Sequence, residues 1–233
     1  MNDHPKSRAT EAFFGRRKGK ALLGRKLRLI EETLPDLLLD PTGPRPQNIK
    51  DLFGEPKTAY CMEIGFGGGE HLAKQADSQP DIGFIGIEPF INGMAKMLGE
   101  IEDRNLKNVC LFDDDATQVL DWLPENSLDR IDLLYPDPWP KKRNWKRRFV
   151  NVKNLDRFAR VLKPSGLFRF ASDIDTYVNW TLTHIERQGD FRWLAQTAYD
   201  WREPWDGWSR TRYEAKAIRE GRPPAYLQFR LET

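Results

Sequence analysis

Apolar residues along the chain follow two alternating rhythms. Short, nearly continuous apolar runs occur at TAYCMEIG (58–65), GFIGIEP (83–89), NVCLFDDDA (108–116), LDRIDLLYPDPWP (128–140) and LFRFASD (167–173). Each runs into acids, glycines or prolines, the pattern of a buried strand meeting a loop. Between these runs the apolar spacing changes to three and four residues. INGMAKMLGEIEDRNL sets Ile91, Met94, Ala95, Leu98 and Ile101 on one helix face. GEHLAKQADSQP, TQVLDWL, VNVKNLDRFARVLKPSG and DTYVNWTLTHIERQ read as further helices, with Pro80 stopping the first and Pro164 with Gly166 stopping the third. FRWLAQ and AYLQFRLE read as two closing strands. Strand and helix alternate through five units, which predicts an α/β fold with a mostly parallel sheet and helices on both faces. Upstream, LLGRKLRLIEETLPDLLLD predicts a short helix stopped near Pro35, and PTGPRPQ a loop. The expected organisation is a basic, partly flexible N-terminal arm over 1–40 and a single domain over 41–233.

Charge adds a second pattern. The net charge is only +2, yet residues 1–28 hold nine Lys/Arg against Asp3 and Glu11. The run KKRNWKRR adds Lys141, Lys142, Arg143, Lys146, Arg147 and Arg148, so the remainder is net acidic. Basic charge gathered in two places suits a polyanionic partner. A solvated tail and an exposed helix face are the plainer alternatives. No apolar run is long enough to span a bilayer, and the N-terminus lacks the apolar core of a secretory signal. Cys61 and Cys110 lie in apolar strands and read as buried free thiols, in keeping with a cytoplasmic protein. His4, His71 and His184 are scattered, so no metal is expected. Trp122, Trp180 and Trp193 fall in helix or strand patterns and read as core, whereas Trp201, Trp205 and Trp208 suit core cover and contact with a polyanionic partner equally.

In sheets of this type ligands bind beyond the carboxyl ends of the strands. Those ends carry Glu63 with the loop Gly65-Phe66-Gly67-Gly68-Gly69, then Glu88, Asp113-Asp114-Asp115, Asp137 and Asp173. A plain glycine turn among surface acids is one reading. A dinucleotide site needs G-x-G-x-x-G and a helix N-terminus free for pyrophosphate. Here the spacing is G-x-G-x-G, and a carboxylate precedes it. Glu63 suits a cationic cofactor with an amine beside a sulfonium. Glu88 stands where ribose hydroxyls are bound, and Asp115 is placed for an adenine amino group.

These features resemble class I S-adenosylmethionine-dependent methyltransferases. The resemblance implies a Rossmann-like sheet of seven strands in the order 3-2-1-4-5-7-6, its last strand antiparallel. YPDPWPKKRNWKRR, EIGFGGGEHL, ASDIDTYVNW and TRYEAKA together resemble the signatures of bacterial tRNA (guanine-N7)-methyltransferases over residues 60–217. Pro140 stands where that family commonly has His, and Arg212 and Tyr213 replace a Lys and a Phe. The family implies S-adenosyl-L-methionine as cofactor, tRNA as partner, and methylation of guanine 46 in the variable loop by a cytoplasmic monomer or homodimer. Carried onto this chain, it implies Asp137 as catalytic residue. Cofactor contacts follow at Glu63, Gly65, Gly67, Gly69, Glu88, Asp115 and Asp137. Substrate contacts follow at Lys141, Asp173, Thr211, Arg212, Tyr213 and Glu214. RNA contacts follow at Arg143, Asn144, Trp145, Lys146, Arg147 and Arg148. An amino methyltransferase acting on adenine and a non-catalytic RNA-binding protein on the same fold are the rival readings. The first is disfavoured because Pro138 is followed by Trp139 rather than a second proline. The second is disfavoured by acids at all five strand ends.

Overall fold

The computed structural model describes residues 14–232. Residues 1–13 of the basic arm, with Lys6 and Arg8, lie outside the described residues. Seven strands form one sheet: β1 Ala59–Ile64, β2 Ile82–Ile87, β3 Val109–Phe112, β4 Leu128–Leu134, β5 Leu162–Ser172, β6 Phe191–Trp193 and β7 Ala225–Leu231. Their order is β3-β2-β1-β4-β5-β7-β6, the expected one. β1 to β5 pair in parallel, and β7 runs antiparallel to both β5 and β6. The connecting helices are α1 Glu70–Ser78, α2 Ile91–Arg104, α3 Ala116–Trp122, α4 Val152–Val161, α5 Asp175–Gln188 and, before β7, α6 Arg212–Arg219.

Neighbouring strand residues point to opposite faces, and the core divides accordingly. Cys61, Phe84 and Leu111 join one cluster with Leu72 of α1 and Met94, Met97 and Leu98 of α2. Met62, Ile85 and Cys110 join another with Leu120, Leu155, Phe158 and Tyr177 of α3 to α5. Both cysteines are buried and free, and burial pushes each thiol up to about 12. Among the described residues, no helix is long and apolar enough to cross a membrane.

Three local expectations change. The helix before β5 ends at Val161 rather than at Pro164, because Leu162 already pairs with Leu128, and Pro164 falls within the irregular start of β5. The N-terminal helical stretch does not stop at Pro35. It runs through Arg25–Arg28, a π-helical turn Leu29–Thr33 and Leu34–Leu37. The wider turn just before proline accommodates a residue with no amide hydrogen to donate. Trp193, read as core, is 36% exposed on the edge strand β6.

Residues 25–39 of the stretch read as an arm are packed onto the domain. Leu29 and Leu34 are core residues beside α2. Leu39 donates its amide to the Leu111 carbonyl at 2.8 Å, covering the open edge of β3. Arg25 pairs with Glu102 and Asp103 on α2.

Candidate active site

The loop after β1 is shaped by glycine. Gly65, Gly67 and Gly69 take φ of +74°, +61° and +81°, a region that only glycine enters at little cost. The loop lies so close to α2 that a Cβ on Gly93 would meet the Gly67 carbonyl oxygen at 2.1 Å. Glu88, at the end of β2, fastens the loop: its Oε2 accepts from the Gly67 amide at 2.6 Å and its Oε1 from the Phe90 amide at 2.9 Å. Burial pushes the Glu88 carboxyl above the ordinary carboxylate range. The two amides oppose that shift, and the nearby Asp137 charge adds to it. Glu63 is placed differently from expectation. It is buried beneath the loop, with Oε2 at 2.8 Å from His71 Nδ1, and lies outside the cavity wall. Burial alone would lower the His71 pKa, but the Glu63 charge and hydrogen bond outweigh it.

One cavity of about 680 Å³ joins the strand ends. It is lined by Gly65 and Gly67 of the glycine loop, by Glu88 and Asp115, by Asp137 and Trp139, and by the basic Lys146, Arg147 and Arg148. Asp115 caps α3, accepting from the Thr117 amide and hydroxyl at 3.0 and 2.9 Å. Phe14, Gly15 and Arg16 complete the enclosure. They are held there by Arg17, which pairs with Asp114 at 2.5 Å and whose carbonyl accepts from the Ile91 amide.

The loop after β4 is built without glycine. Tyr135 and Trp139 take φ of +50° and +45°, and between them lie Pro136, Asp137 and Pro138. Asp137 opens into the cavity; its surface remains exposed, and partial burial pushes its carboxyl above the ordinary range. Lys141, Lys142, Arg143, Lys146 and Arg147 are exposed. Arg147 stacks over Trp139 at 4.9 Å and over Phe14 at 5.0 Å. Arg148 breaks the expected strip. It is 1% exposed and donates to the carbonyls of Pro138 and Thr176 and to the Thr176 hydroxyl. Trp145, expected as an RNA contact, packs edge-on against Trp180 and under the Arg148 guanidinium.

Comparison with known proteins decides the family. Residues 57–226 match the family model described as "Putative methyltransferase". The chain is 60% identical over 230 residues to the tRNA (guanine-N(7)-)-methyltransferase of Rhizobium meliloti, covering 99% of each chain. It is 59% identical over 226 residues to that of a Chelativorans species, covering 97% of each. The chain belongs to the tRNA (guanine-N7)-methyltransferase family. Among solved structures, Streptococcus mutans SMU.1697c in complex with SAH shares the fold, with a TM-score of 0.52 at 11% identity over 90% of this chain and 99% of that one.

In this family member the C-terminal motif divides between support and cavity. Thr211 caps α6 through the Glu214 amide, and Glu214 is buried, accepting from Trp208 Nε1 at 2.9 Å and the Tyr226 hydroxyl at 2.5 Å. Arg212 and Tyr213 are exposed, and Tyr213 alone of the four lines the cavity. Asp173 lies outside the lining, paired with Arg222 at 2.6 Å. Trp205 and Trp208 pack with Tyr226, Leu134 and Ala171, so the loop before α6 is core cover. The Phe14 to Arg16 wall and the α4 residues Asn154 and Arg157 at the cavity were not singled out in the sequence. An aromatic pair abutting the first basic cluster, FFGRRKG, is the signal that marks the former.

Proposed function

We propose that the chain transfers the methyl group of S-adenosyl-L-methionine to N7 of a tRNA guanine, guanine 46 of the variable loop by family resemblance. The observation that carries this reading is the single cavity joining the glycine loop, Glu88 and Asp137 to the basic Lys146 and Arg147. Two carboxylates on one cavity, both shifted above their ordinary range, favour a cationic guest. The cofactor supplies an electrophilic methyl on a sulfonium beside an ammonium group. Gly65 and Gly67 allow close backbone approach, Glu88 takes ribose hydroxyls, and Asp115 takes the adenine amino group. Glu63 Oε2 is engaged by His71, and of the carboxylates lining the cavity Asp137 is assigned to the ammonium or to the guanine edge.

Guanine N7 attacks with its in-plane lone pair and has no proton to lose, so the site needs no general base. The pair forms the new N–C bond while the S–C bond pair returns to sulfur, and the purine becomes cationic. Asp137 stabilises that charge and orients the base, so rate comes from placement and electrostatics. Lys141, Arg143, Lys146 and Arg147 grip phosphates. The enzyme works in the cytoplasm.

The test incubates purified protein with methyl-labelled S-adenosylmethionine and tRNA lacking the mark, then digests to nucleosides. Label in 7-methylguanosine is expected, and Asp137→Ala should lower its rate by about 100-fold or more. Label in methylated adenine, or none, overturns the proposal.

A further inference from the structure

The last arginine of the basic run is built into the protein rather than presented to RNA. Its side chain is enclosed between Trp145, Tyr177 and Trp180, at 4.4, 4.7 and 5.5 Å from the guanidinium carbon to each ring centre. All three of its guanidinium nitrogens are engaged. Nε donates to the Pro138 carbonyl at 2.9 Å, Nη1 to the Thr176 carbonyl at 2.7 Å and Nη2 to the Thr176 hydroxyl at 3.0 Å. Pro138 is the residue after Asp137, and Thr176 lies in the first turn of α5. The fork therefore ties the backbone beside Asp137 to a packed helix. That helix is anchored in turn, since Trp180 Nε1 donates to the Val150 carbonyl at 2.6 Å and Tyr177 is fully buried in the core.

The loop needs such a tie. Left-handed φ at two non-glycine residues is unfavourable by about 1–3 kcal/mol each and persists only where surrounding contacts over-determine it. Tyr135 is fixed on the strand side, where its amide reaches the Ala171 carbonyl at 2.7 Å. On the far side the Arg148 fork holds Pro138. A guanidinium serves here because its fixed planar donors satisfy two carbonyls and a hydroxyl at once while its faces stack on rings; an ammonium cannot do both.

We infer that Arg148 is a positioning residue that sets the place of Asp137 through the Pro138 carbonyl, separate from the tRNA grip of its neighbours. This rests on the proposed methyl transfer, and wild-type activity on tRNA tests that reading independently.

The experiment compares full-length Arg148→Lys, Thr176→Val and Arg147→Ala in steady-state methyl transfer and in tRNA binding across salt. Arg148→Lys should lower kcat by about tenfold or more, with KM, tRNA Kd and the salt slope close to wild type. Thr176→Val, which removes one arm of the fork, should lower kcat by about threefold in the same pattern. Arg147→Ala should raise the tRNA Kd and reduce the salt slope by about one. Unchanged kcat for Arg148→Lys, whether or not tRNA binding weakens, would overturn the inference. If Arg148→Lys fails to fold, Thr176→Val decides: lower kcat at unchanged KM supports the fork, and unchanged kcat overturns it. A wild-type protein inactive on unmodified tRNA would fail the proposed function itself.

Discussion

The loop after β1 and the loop after β4 both turn through left-handed backbone at the cavity, but by different means. The first does so at Gly65, Gly67 and Gly69, where the conformation costs little and the bare backbone lets a ligand and α2 come close. The second does so at Tyr135 and Trp139, where the conformation is costly and the side chains are kept nonetheless. Trp139 carries the stack of Arg147 and the edge of Phe14 at a ring separation of 6.4 Å. Tyr135 packs with Leu134 and Trp205 beneath the loop. The difference separates two tasks. In the proposed reaction the first loop would offer bare backbone to the cofactor, and the second would present a carboxylate to the base from between two side chains that hold their own contacts.

The largest effect is expected at the first loop. Gly67→Ala forces a Cβ into φ +61°, 3.2 Å from the Tyr213 ring. A strain of about 1–3 kcal/mol, relieved only by moving the loop, should weaken S-adenosylmethionine binding by about 10- to 100-fold in calorimetry. tRNA affinity should hold. Gly99→Ala on α2 is the control, since a Cβ there meets nothing within 4 Å. An undiminished cofactor affinity in Gly67→Ala would remove the distinction between the loops.

Trp139→Gly probes the second loop and should act less on binding than on turnover. Glycine relaxes φ at 139 but releases Arg147 and Phe14. The strain removed, about 1–3 kcal/mol, and the contacts of the half-buried ring that are lost are of similar size, so the melting temperature should stay near wild type. Methyl transfer at saturating cofactor should fall by about tenfold as Asp137 loses its fixed place. Unchanged transfer would mean that the strained backbone is tolerated rather than used.

The same contrast shows how much of the molecule could be read from its residues. The strand runs and the acid at each strand end follow from apolar spacing, and the family pattern supplied the sheet order. The glycine loop was readable because an unusual backbone leaves an unusual residue behind. The Asp137 loop leaves no such mark, because Tyr135 and Trp139 look ordinary in a sequence. Within KKRNWKRR nothing in the spacing says which cation turns inward. Arg148 does so because Thr176, Tyr177 and Trp180 arrive from a helix 28 residues and more along the chain. Glu63 was read as a cofactor contact because it precedes the glycines; nothing in its spacing showed that His71 would approach from α1 and engage its Oε2. Thr211 and Glu214 read as substrate contacts because a motif marks which positions matter without telling support from contact. Here they close a capping box around α6.

The smallest effect separates the two carboxylates by pH. Burial raises both Glu88 and Asp137, but Glu88 is opposed by two backbone amides, whereas burial alone sets the shift of Asp137. A carboxyl whose folded pKa lies above its unfolded value stabilises the fold fully at pH below the unfolded value of 3.8, and that contribution is lost as pH rises through the folded pKa. Above that point wild type holds an ionised group the site disfavours, and Asp137→Asn does not. The variant should therefore melt slightly above wild type at neutral pH, with the gap closing as pH falls toward 3.8. Melting curves of both proteins across that range, run alongside transfer assays, check the sign. A variant that is more stable and inactive marks Asp137 as a group retained for chemistry at the expense of the fold. A variant that is less stable at neutral pH would show that the carboxylate is held by favourable contacts, and the two loops would then differ in backbone alone.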